Sequence, residues 1–412
     1  YKIIYMKPLI KPFSALRPNN SNAPLVIAPP YDVINRKEAF NIAKDKPSNF
    51  LHISRPEIDF PLDVDPYSEK VYEKGKENLS KLINKGILHK KDNPSYYVYS
   101  IISRNHEQTG LAAIASVEAY NTNRIKKHEL TKPLKENDRV KNILSLNAQT
   151  GPVLCSYKAD NNIKNIYELI KKDRPIINVK DLYDISHIIW KIDKKEDINK
   201  ISSYFNLMDS IYIADGHHRS AAASKVSKKI ENKDSVNNSF LVVLFPHDEL
   251  QIIDYNRVVK DLNKYNPDQL VNKISKYFIV EQTNKIQKPC SKNTFGMYLD
   301  SKWYSLSIKN NIMPEDPVSK LDVSLLQDYI LGPILGIDDP RTNSRIDFVG
   351  GSRGVKELIS RVDSGENKIA FALFPTSMED LMSVADSGLL MPPKSTWFEP
   401  KLADGLLSHT FF

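Results

Sequence analysis

Residues 211–223 read Ile-Tyr-Ile-Ala-Asp-Gly-His-His-Arg-Ser-Ala-Ala-Ala, and this stretch predicts a strand, a tight turn and a helix in succession. The apolar run Ile211–Ile213 is typical of a buried strand, and Asp215-Gly216 is typical of a turn. The small residues that follow His218 favour a helix packed closely on a sheet. Because the first backbone N–H groups of a helix lack intrahelical partners and the helix dipole is positive there, this junction is a candidate anion site.

The side chains at this junction add to that expectation. Arg219 supplies a fixed cation, and His217 and His218 titrate near neutral pH. Backbone donors, an arginine fork and protonatable imidazoles form a mixture that recognises phosphate. A plain Asp-Gly turn followed by exposed histidines is the structural alternative. The hypothesis is that Asp215, Gly216, His217, His218 and Arg219 bind phosphate.

The composition indicates a globular protein. The 412 residues are 41% hydrophobic and 26% charged, with a formal charge of +8, and this length suffices for two or three domains. The basic residues are scattered, without an Arg-rich stripe interleaved with aromatics, which argues against nucleic-acid binding. No apolar run approaches the ~18 residues of a membrane span. The two cysteines and the absence of a signal-peptide layout in residues 1–5 predict a cytoplasmic protein.

Local patterns predict both strands and helices along the chain. The strands expected at 96–102 and 111–119, joined by a polar loop, predict a hairpin. A separate α+β portion is expected from about Tyr265. The other expected elements are strands at 153–157 and 240–245 and helices at 71–85, 138–146, 161–173 and 198–205.

Residues 126–132, Lys-Lys-His-Glu-Leu-Thr-Lys, carry a second constellation. A zinc protease needs His-Glu-x-x-His, and Lys132 occupies the place of the second histidine, so this kind of metal site is excluded. What remains is a carboxylate beside an imidazole in a lysine-rich loop. The functional interpretation makes Glu129 a general base, with His128 or Thr131 positioning it or the substrate. A solvated polar loop is the alternative.

Two further segments offer supporting residues. Asp138 and Arg139 lie where a helix is expected to begin, so they could serve a site or simply cap the helix. Lys394, Ser395 and Thr396 could give a lysine and two hydroxyls to a site, or could form a packed tail loop.

Signals for two common nucleotide folds are missing. No Gly-x-x-x-x-Gly-Lys-Ser/Thr loop occurs, and residues 350–356, Gly-Gly-Ser-Arg-Gly-Val-Lys, have the wrong spacing and predict a turn. No Gly-x-Gly-x-x-Gly follows a strand, so a dinucleotide-binding fold is unsupported.

Five motifs, taken in order, resemble the signatures of one bacterial and archaeal family, catalogued as domain of unknown function 1015. They extend from residue 12 to residue 396, and the family name states no activity. The motifs are Pro12-Phe13-x-Ala15-Leu16-Arg17, Ala28-Pro29-Pro30-Tyr31-Asp32-Val33-Ile34, His128-Glu129-x-Thr131, Ala214-Asp215-Gly216-His217-His218-Arg219 and Met391-Pro392-Pro393-Lys394-Ser395-Thr396.

A more distant resemblance is to the archaeal free-serine kinases, which have a ParB-like fold. It implies a ParB/sulfiredoxin-like core, a mixed sheet with helices, at residues 111–262, with α+β extensions at 1–110 and 263–412. In those enzymes the Asp-Gly-His-His-Arg segment binds nucleotide phosphates, and a Glu beside a His activates the serine hydroxyl. The resemblance therefore implies Glu129 as the base, and residues 215–219 as the phosphate site.

The function that this resemblance implies is a small-molecule kinase acting on free L-serine with ATP or ADP. Mg²⁺ is expected, with Asp215 or Asp138 as a ligand, and Lys132 and Lys135 would neutralise charge. The expected partners are the nucleotide and a small amino acid, and no nucleic acid or membrane is expected. A homodimer is compatible with this function. Two other classes stay open: a ParB-like nucleotide-binding or DNA-associated protein, and a phosphoester hydrolase using the same site.

Overall fold

The computed structural model describes residues 8–230 and 238–412. The first five residues, in which we expect no signal peptide, lie outside this range. Contacts divide the chain into two compact units. The first unit contains the residues up to Lys127, Thr131–Leu250 and Pro400–Phe412, and the second contains His128–Leu130 and Gln251–Glu399.

Up to Leu250 the described chain alternates short strands and helices. The strands are β1 (Ile10–Lys11), β2 (Ala15–Pro18), β3 (Leu88–His89), β4 (Tyr96–Ile102), β5 (Glu107–Ser116), β6 (Ile125–Lys126), β7 (Ala148–Gln149), β8 (Val153–Tyr157), β9 (Ile177–Lys180), β10 (Ser186–Ile192), β11 (Ile211–Asp215) and β12 (Ser239–Pro246). The α-helices are α1 (Ala23–Val26), α2 (Arg36–Ala43), α3 (Leu51–Ser54), α4 (Glu69–Asn84), α5 (Val117–Asn121), α6 (Pro133–Leu146), α7 (Asn161–Ile170), α8 (Lys195–Leu207) and α9 (His217–Lys229).

The remaining residues form a second set of elements. The strands are β13 (Gln251–Ile253), β14 (Tyr255–Val259), β15 (Phe278–Thr283), β16 (Thr294–Leu299), β17 (Lys302–Ile308), β18 (Ile346–Gly350), β19 (Ile369–Leu373), β20 (Trp397–Glu399) and β21 (Ser408–Thr410). The α-helices are α10 (Pro267–Ile274), α11 (Asp322–Leu326), α12 (Gly354–Asp363) and α13 (Met378–Asp386).

The first unit is built on a nine-stranded mixed sheet. The strand order is β6-β11-β8-β12-β5-β4-β10-β9, and β1 pairs with β5. Strand β12 runs parallel to β8, and β11 runs parallel to β6 and antiparallel to β8. The continuous apolar run at 240–245 predicted a central strand, and β12 is indeed buried along its whole length between β8 and β5. One core cluster of this unit includes Tyr96, Leu111, Cys155, Ile213 and Phe240.

The last residues of the chain belong to the first unit. Strand β21 lies between β2 and β7 in a four-stranded sheet with the order β3-β2-β21-β7. Upstream of it, Ala28 and Asp404 exchange two backbone hydrogen bonds of 3.2 and 2.9 Å. The next residue, Gly405, has φ +90, and a Cβ there would come within 2.9 Å of Phe50 and Val26. The C-terminal segment is therefore fitted tightly against the N-terminal part of the chain.

The second unit contains a six-stranded antiparallel sheet. Its order is β15-β17-β16-β19-β14-β18, and β13 pairs with β20 in a separate two-stranded ribbon. Leu358 of α12 is buried in a cluster with Val258, Tyr298, Trp303 and Ala370 from the sheet. Amphipathic spacing on the helix thus covers one face of the sheet.

The predicted α+β class, with a mixed sheet, is confirmed. The expected strand at 111–119 ends early, because Ser116 caps α5 by accepting a hydrogen bond from the backbone N–H of Ala119. The helix expected at 138–146 begins earlier, at Pro133, where a proline is tolerated because its missing N–H would have no helical partner. The helices expected at 71–85, 161–173 and 198–205 are α4, α7 and α8.

The predicted boundaries at 110/111 and 262/263 differ from the division by contacts. The first falls inside β5, which pairs without interruption with β4 and β12. The second unit begins at Gln251, and the segment from Pro400 returns to the first unit because β21 pairs with β2 and β7. Among the helices described, none combines the length and the apolar character needed to cross a membrane.

Candidate functional site

The sequence 211–223 folds as the predicted strand, turn and helix. Strand β11 ends at Asp215, Gly216 has φ +99 and α9 begins at His217. A Cβ at Gly216 would lie 3.1 Å from Nε of Arg219 and 3.4 Å from Cα of Val153. Glycine therefore both permits the left-handed backbone and leaves room for the arginine side chain.

Helix α9 packs closely on its neighbours through small residues. Its buried face includes the run Ala221–Ala223 and Val226. Ala222 and Val226 form a cluster with Val140 and Ile143 of α6. This packing fixes α9 beside α6, which carries Asp138 and Arg139.

The guanidinium of Arg219 is held on two sides. Its Nη2 lies 3.5 Å from Oδ2 of Asp32, and its Nη1 donates to the carbonyl of Pro152. The side chain is 11% exposed. Burial lowers the pKa of Arg219, but the charges of Asp32 and Asp215 outweigh that effect and raise it overall. Arg219 is therefore a permanent cation in this site.

A second guanidinium lies against the same tyrosine ring. The centroid of the Tyr31 ring is 4.0 Å from Cζ of Arg139 and 6.0 Å from Cζ of Arg219. Arg139 donates to Oδ2 of Asp138 over 2.8 Å, and the hydroxyl of Tyr72 donates to Oδ1 over the same distance. Burial raises the pKa of Tyr31, so its phenol stays neutral. Two predicted supporting residues, Asp138 and Arg139, thus form one rigid group with Tyr31.

The carboxylate of Asp215 is paired with a lysine from the C-terminal segment. Nζ of Lys401 donates to Oδ2 of Asp215 over 3.1 Å. Burial raises the pKa of Asp215, but Lys401 and Arg219 lower it more, so the net pKa is well below its usual range. Asp215 is therefore ionised throughout the neutral range.

The two histidines of the motif have different surroundings. His217 is buried, and His218 is half-buried. The backbone N–H of Lys132 donates to Nε2 of His218 over 3.0 Å. Because a backbone N–H can only donate, Nε2 is unprotonated, and a neutral His218 carries its proton on Nδ1. His218 thus links the start of α6 to the phosphate motif, as a neutral ring and not as a cation.

The predicted base lies in the segment 128–130, which belongs to the second unit. The backbone N–H of Met391 donates to the carbonyl of His128 over 2.8 Å. His128 is buried and Glu129 is half-buried. Their roles as base and orienting imidazole stay predictions.

The hydroxyl of Thr131 serves the start of α6. It donates to Oε2 of Glu136 over 3.0 Å, and Lys225 pairs with the other carboxylate oxygen at 2.8 Å. The side chain of Lys132 is exposed, and Nζ of Lys135 donates to the hydroxyl of Tyr67 over 3.1 Å. These contacts give Thr131 a structural role that the sequence did not predict.

The C-terminal motif forms a packed turn within the second unit. Lys394 has φ +61, and its carbonyl accepts from Nη2 of Arg257 over 3.0 Å. The Ser395 hydroxyl donates to the carbonyl of Pro392 over 2.7 Å, and its carbonyl accepts from Thr376. Thr396 is half-buried. The segment is thus packed as a turn, and a role of Lys394, Ser395 and Thr396 at a site stays a prediction.

Several residues around Arg219 escaped the sequence analysis. A cavity of about 30 Å³ beside Arg219 is lined by, among others, Tyr31, Ser54 and Asp404. Tyr31 and Asp32 lie within the motif 28–34, to whose side chains the sequence analysis assigned no role. Asp404 precedes Gly405, so it forms a second Asp-Gly pair that a search for such turns could have found.

The solved structures that are similar to this chain include the following three. A free serine kinase in complex with AMP has 12% identity and a TM-score of 0.36, covering 70% of this chain and 86% of its own. A conserved hypothetical protein from Pyrococcus furiosus has 11% identity and a TM-score of 0.37, covering 72% and 94%. SbnI from Staphylococcus aureus, with a C-terminal truncation, has 10% identity and a TM-score of 0.37, covering 71% and 85%.

No curated protein matches the sequence. A family model described as "Protein of unknown function (DUF1015)" matches residues 10–324. The match leaves out the motif at Met391–Thr396 and the segment that carries Lys401 and Asp404. Since it covers well over half of the chain, this protein belongs to the DUF1015 family of proteins of unknown function.

Proposed function

We propose that this chain is a small-molecule kinase that transfers a phosphoryl group from ATP or ADP to the hydroxyl of free L-serine. The observation that carries the proposal is the placement of two buried guanidiniums, Arg219 and Arg139, beside the start of α9. Phosphoryl transfer needs positioning and charge neutralisation more than covalent chemistry by the protein. Burial lowers the pKa of each guanidinium, but nearby acidic groups raise it more, so both side chains carry a fixed positive charge.

The polar groups at the cavity fit an oxyanion. Nε of Arg219 is buried and makes no hydrogen bond to another described residue, and Oγ of Ser54 is buried at the same cavity, within hydrogen-bond reach of Asp404. Buried polar groups of this kind are expected to meet water or a ligand. The positive end of the helix dipole of α9, which begins at His217, adds to the attraction for an anion. Arg219, with these groups, would hold the phosphate oxygens.

Magnesium is part of the proposal through Asp215. Mg²⁺ bound with a nucleotide would neutralise phosphate charge, and it prefers carboxylate oxygens and water as ligands. Lys401 and Arg219 keep Asp215 ionised, so that its carboxylate is competent to bind the ion near neutral pH. Lys132 and Lys135, both exposed, remain candidates for outer neutralising charges.

Glu129 is the proposed general base, and its assignment rests on the resemblance of the motif 128–131 to the free-serine kinases. In the step, the substrate hydroxyl oxygen bonds to phosphorus while the bond from phosphorus to the leaving nucleotide oxygen breaks. The hydroxyl proton passes to the Glu129 carboxylate. The same resemblance supports serine as the acceptor and a ParB/sulfiredoxin-like description of the nine-stranded sheet.

The test is a product assay with a matched variant. The protein is incubated with Mg²⁺, L-serine and either ATP or ADP, and O-phosphoserine is measured by mass spectrometry. The rate of Glu129→Gln should be at least about 100-fold lower than that of the parent, because a general base accelerates proton transfer by about 10²–10⁴-fold. Glu118→Gln changes an exposed carboxylate on α5 and should keep the parent rate.

The outcomes separate the open classes. Absence of O-phosphoserine with both donors would overturn the kinase proposal. Release of inorganic phosphate without an acceptor would favour a hydrolase, and binding to DNA that falls steeply with salt would favour a DNA-associated role. An unchanged rate in Glu129→Gln would leave the kinase in place and remove the assignment of its base.

A further inference from the structure

Asp404 lies at the cavity beside Arg219, although it is distant from the phosphate motif in the sequence. Its side chain is buried, at 2% exposure, and lines the same cavity as Arg219 and Arg139. Its Oδ1 lies 3.3 Å from the position that a Cβ would take on Gly151, and Nη1 of Arg219 lies 3.6 Å from that position. A carboxyl group and a guanidinium therefore border the space left by one glycine.

The backbone of Asp404 is firmly placed. It exchanges two hydrogen bonds with Ala28, and Gly405 behind it leaves no room for a side chain. Before it, the backbone N–H of Ala403 donates to the Tyr99 hydroxyl oxygen, and that hydroxyl lies 2.8 Å from Nδ1 of His187. These contacts hold the carboxyl in the cavity.

An anion bound by the two arginines would meet this carboxyl group. The cavity of about 30 Å³ has room for about two water molecules, or for oxygens of an entering oxyanion. An ionised Asp404 would repel an oxyanion, whereas a protonated Asp404 would donate a hydrogen bond to it. A bound anion therefore favours a proton on this carboxyl.

We propose that Asp404 is a ligand-binding residue that takes up a proton when an oxyanion binds at Arg219 and Arg139, and donates a hydrogen bond to it. The inference rests on the proposed function in that the natural oxyanion would be the phosphoryl group of the nucleotide. The step consumes one proton from solvent per anion bound, and it forms no covalent bond other than the O–H bond on Asp404.

The electrostatic surroundings make this proton available near neutral pH. Burial raises the pKa of Asp404 to about 7, against the lowering effect of Arg219. The charged and titratable groups that face it are Arg219 from α9, Arg139 from α6, Tyr31 and Asp32 from the loop before α2 and Tyr99 from β4. Burial raises the pKa of Tyr99 and of Tyr31, and the pKa values of both arginines are raised overall, so the two tyrosines and the two arginines keep their charge between pH 7 and 9.

Sulfate is the probe of choice because it carries no titratable proton between pH 5 and 9. Its binding to the full chain is measured by calorimetry without Mg²⁺, in two buffers of different ionisation enthalpy. Above about pH 8 we expect the uptake of close to one proton per sulfate. The dissociation constant should rise more gently near pH 7 and by about tenfold per pH unit above about pH 8, because binding then draws on the protonated fraction.

Asp404→Asn keeps the shape and a hydrogen-bond donor but removes the titration. In this variant the proton uptake should vanish and the affinity for sulfate should become nearly constant from pH 7 to 9. Asp45→Asn changes an exposed carboxylate and should behave as the parent does. If Asp404→Asn fails to fold, the number of protons that the parent chain takes up per sulfate decides. The absence of proton uptake by the parent contradicts the inference.

Three results would overturn the inference: no sulfate binding by the parent, binding without proton uptake, or uptake that persists in Asp404→Asn. The last result would place the proton on a group other than Asp404. Proton-linked sulfate binding without O-phosphoserine formation would support the role of Asp404 and refute the kinase. Formation of O-phosphoserine, together with sulfate binding that takes up no proton, would support the kinase and refute the role of Asp404.

Discussion

At the scale of the residue, Gly216 and Lys401 control the geometry and the charge of the candidate site. Gly216 takes up a backbone conformation with φ +99 and leaves space that Arg219 occupies. Lys401 pairs with Asp215 from a position near the opposite end of the chain. One residue acts by having no side chain, and the other by supplying a charge.

Gly216→Ala should cost more stability than an alanine at another glycine with positive φ. Gly86 has φ +67 and open space around it, so Gly86→Ala carries only the backbone cost of about 1 kcal/mol. Gly216→Ala should lose about 1 kcal/mol more, because its Cβ crowds Arg219. Urea unfolding of the two variants measures the difference, and equal losses would show that Arg219 moves away freely.

Lys401→Met should lower stability at neutral pH by an amount that depends on pH. The pKa of Asp215 is held below its ordinary value of 3.8, so its pairing stabilises the fold above that pH and is lost as the pH falls through the folded value. The free energy of unfolding of the variant should therefore differ from that of the parent by a constant amount from pH 7 to about 5. This difference should become smaller below pH 4. Urea unfolding measures it.

Lys401→Arg is the control for this experiment, since it keeps the positive charge and should retain most of the parent's stability. A difference that persists unchanged to low pH would contradict the electrostatic explanation. It would indicate that the aliphatic stem of Lys401 acts by packing.

At the scale of the element, the contact between α6 and α9 joins the two groups of charged residues. Helix α9 carries Arg219, and α6 carries Asp138 and Arg139. Ala222 and Val226 pack against Val140 and Ile143 at the contact. The alanine run, noticed in the sequence as a sign of close packing, sets the separation of the two helices.

Ala222→Leu should therefore destabilise the protein by about 1–3 kcal/mol, because a larger side chain overfills a fully buried position. Lys228→Leu adds leucine at an exposed position of the same helix and should change stability by less than about 0.5 kcal/mol. The free energy of unfolding is measured for both. Similar values for the two variants would contradict tight packing between α6 and α9.

At the scale of the whole molecule, the first unit depends on the end of the chain. Strand β21 joins β2 to β7, and Leu406 and Leu407 are buried beside it. Lys401 and Asp404 reach the candidate site from the same segment. The family match to residues 10–324 does not include it, so this contribution is visible only in the structure.

A chain that ends at Glu399 should melt at a clearly lower temperature or lose solubility. The deletion removes β21, leaves β2 and β7 with unpaired edges and uncovers apolar surface. Thermal unfolding followed by circular dichroism measures the effect. A chain that ends at Phe411 loses only the exposed Phe412 and should match the parent; equal melting of all three chains would contradict the proposed role of β21.

Local patterns were sufficient to predict the strand, turn and helix at 211–223 and the hairpin β4–β5. Periodicity, apolar runs and the special backbone of glycine act between near neighbours, so these elements can be inferred from their own residues. The phosphate hypothesis at Arg219 was reached in the same way, whereas the fold class of the whole chain came from the resemblance to the free-serine kinases. Helix α5 and the start of α6 were missed, because a capping serine ends the expected strand early and a leading proline begins the helix several residues earlier.

The surroundings of Arg219 depended on the tertiary fold. Asp32, Lys401 and Asp404 come from both ends of the chain and meet at the start of α9. Contacts between distant segments leave no periodic pattern in a single sequence, and from the sequence alone Asp404-Gly405 is an ordinary Asp-Gly turn. Burial in the folded chain then decides the chemistry of Asp404. The charge of its carboxyl group depends on the groups that surround it in space and not on its neighbours in the chain.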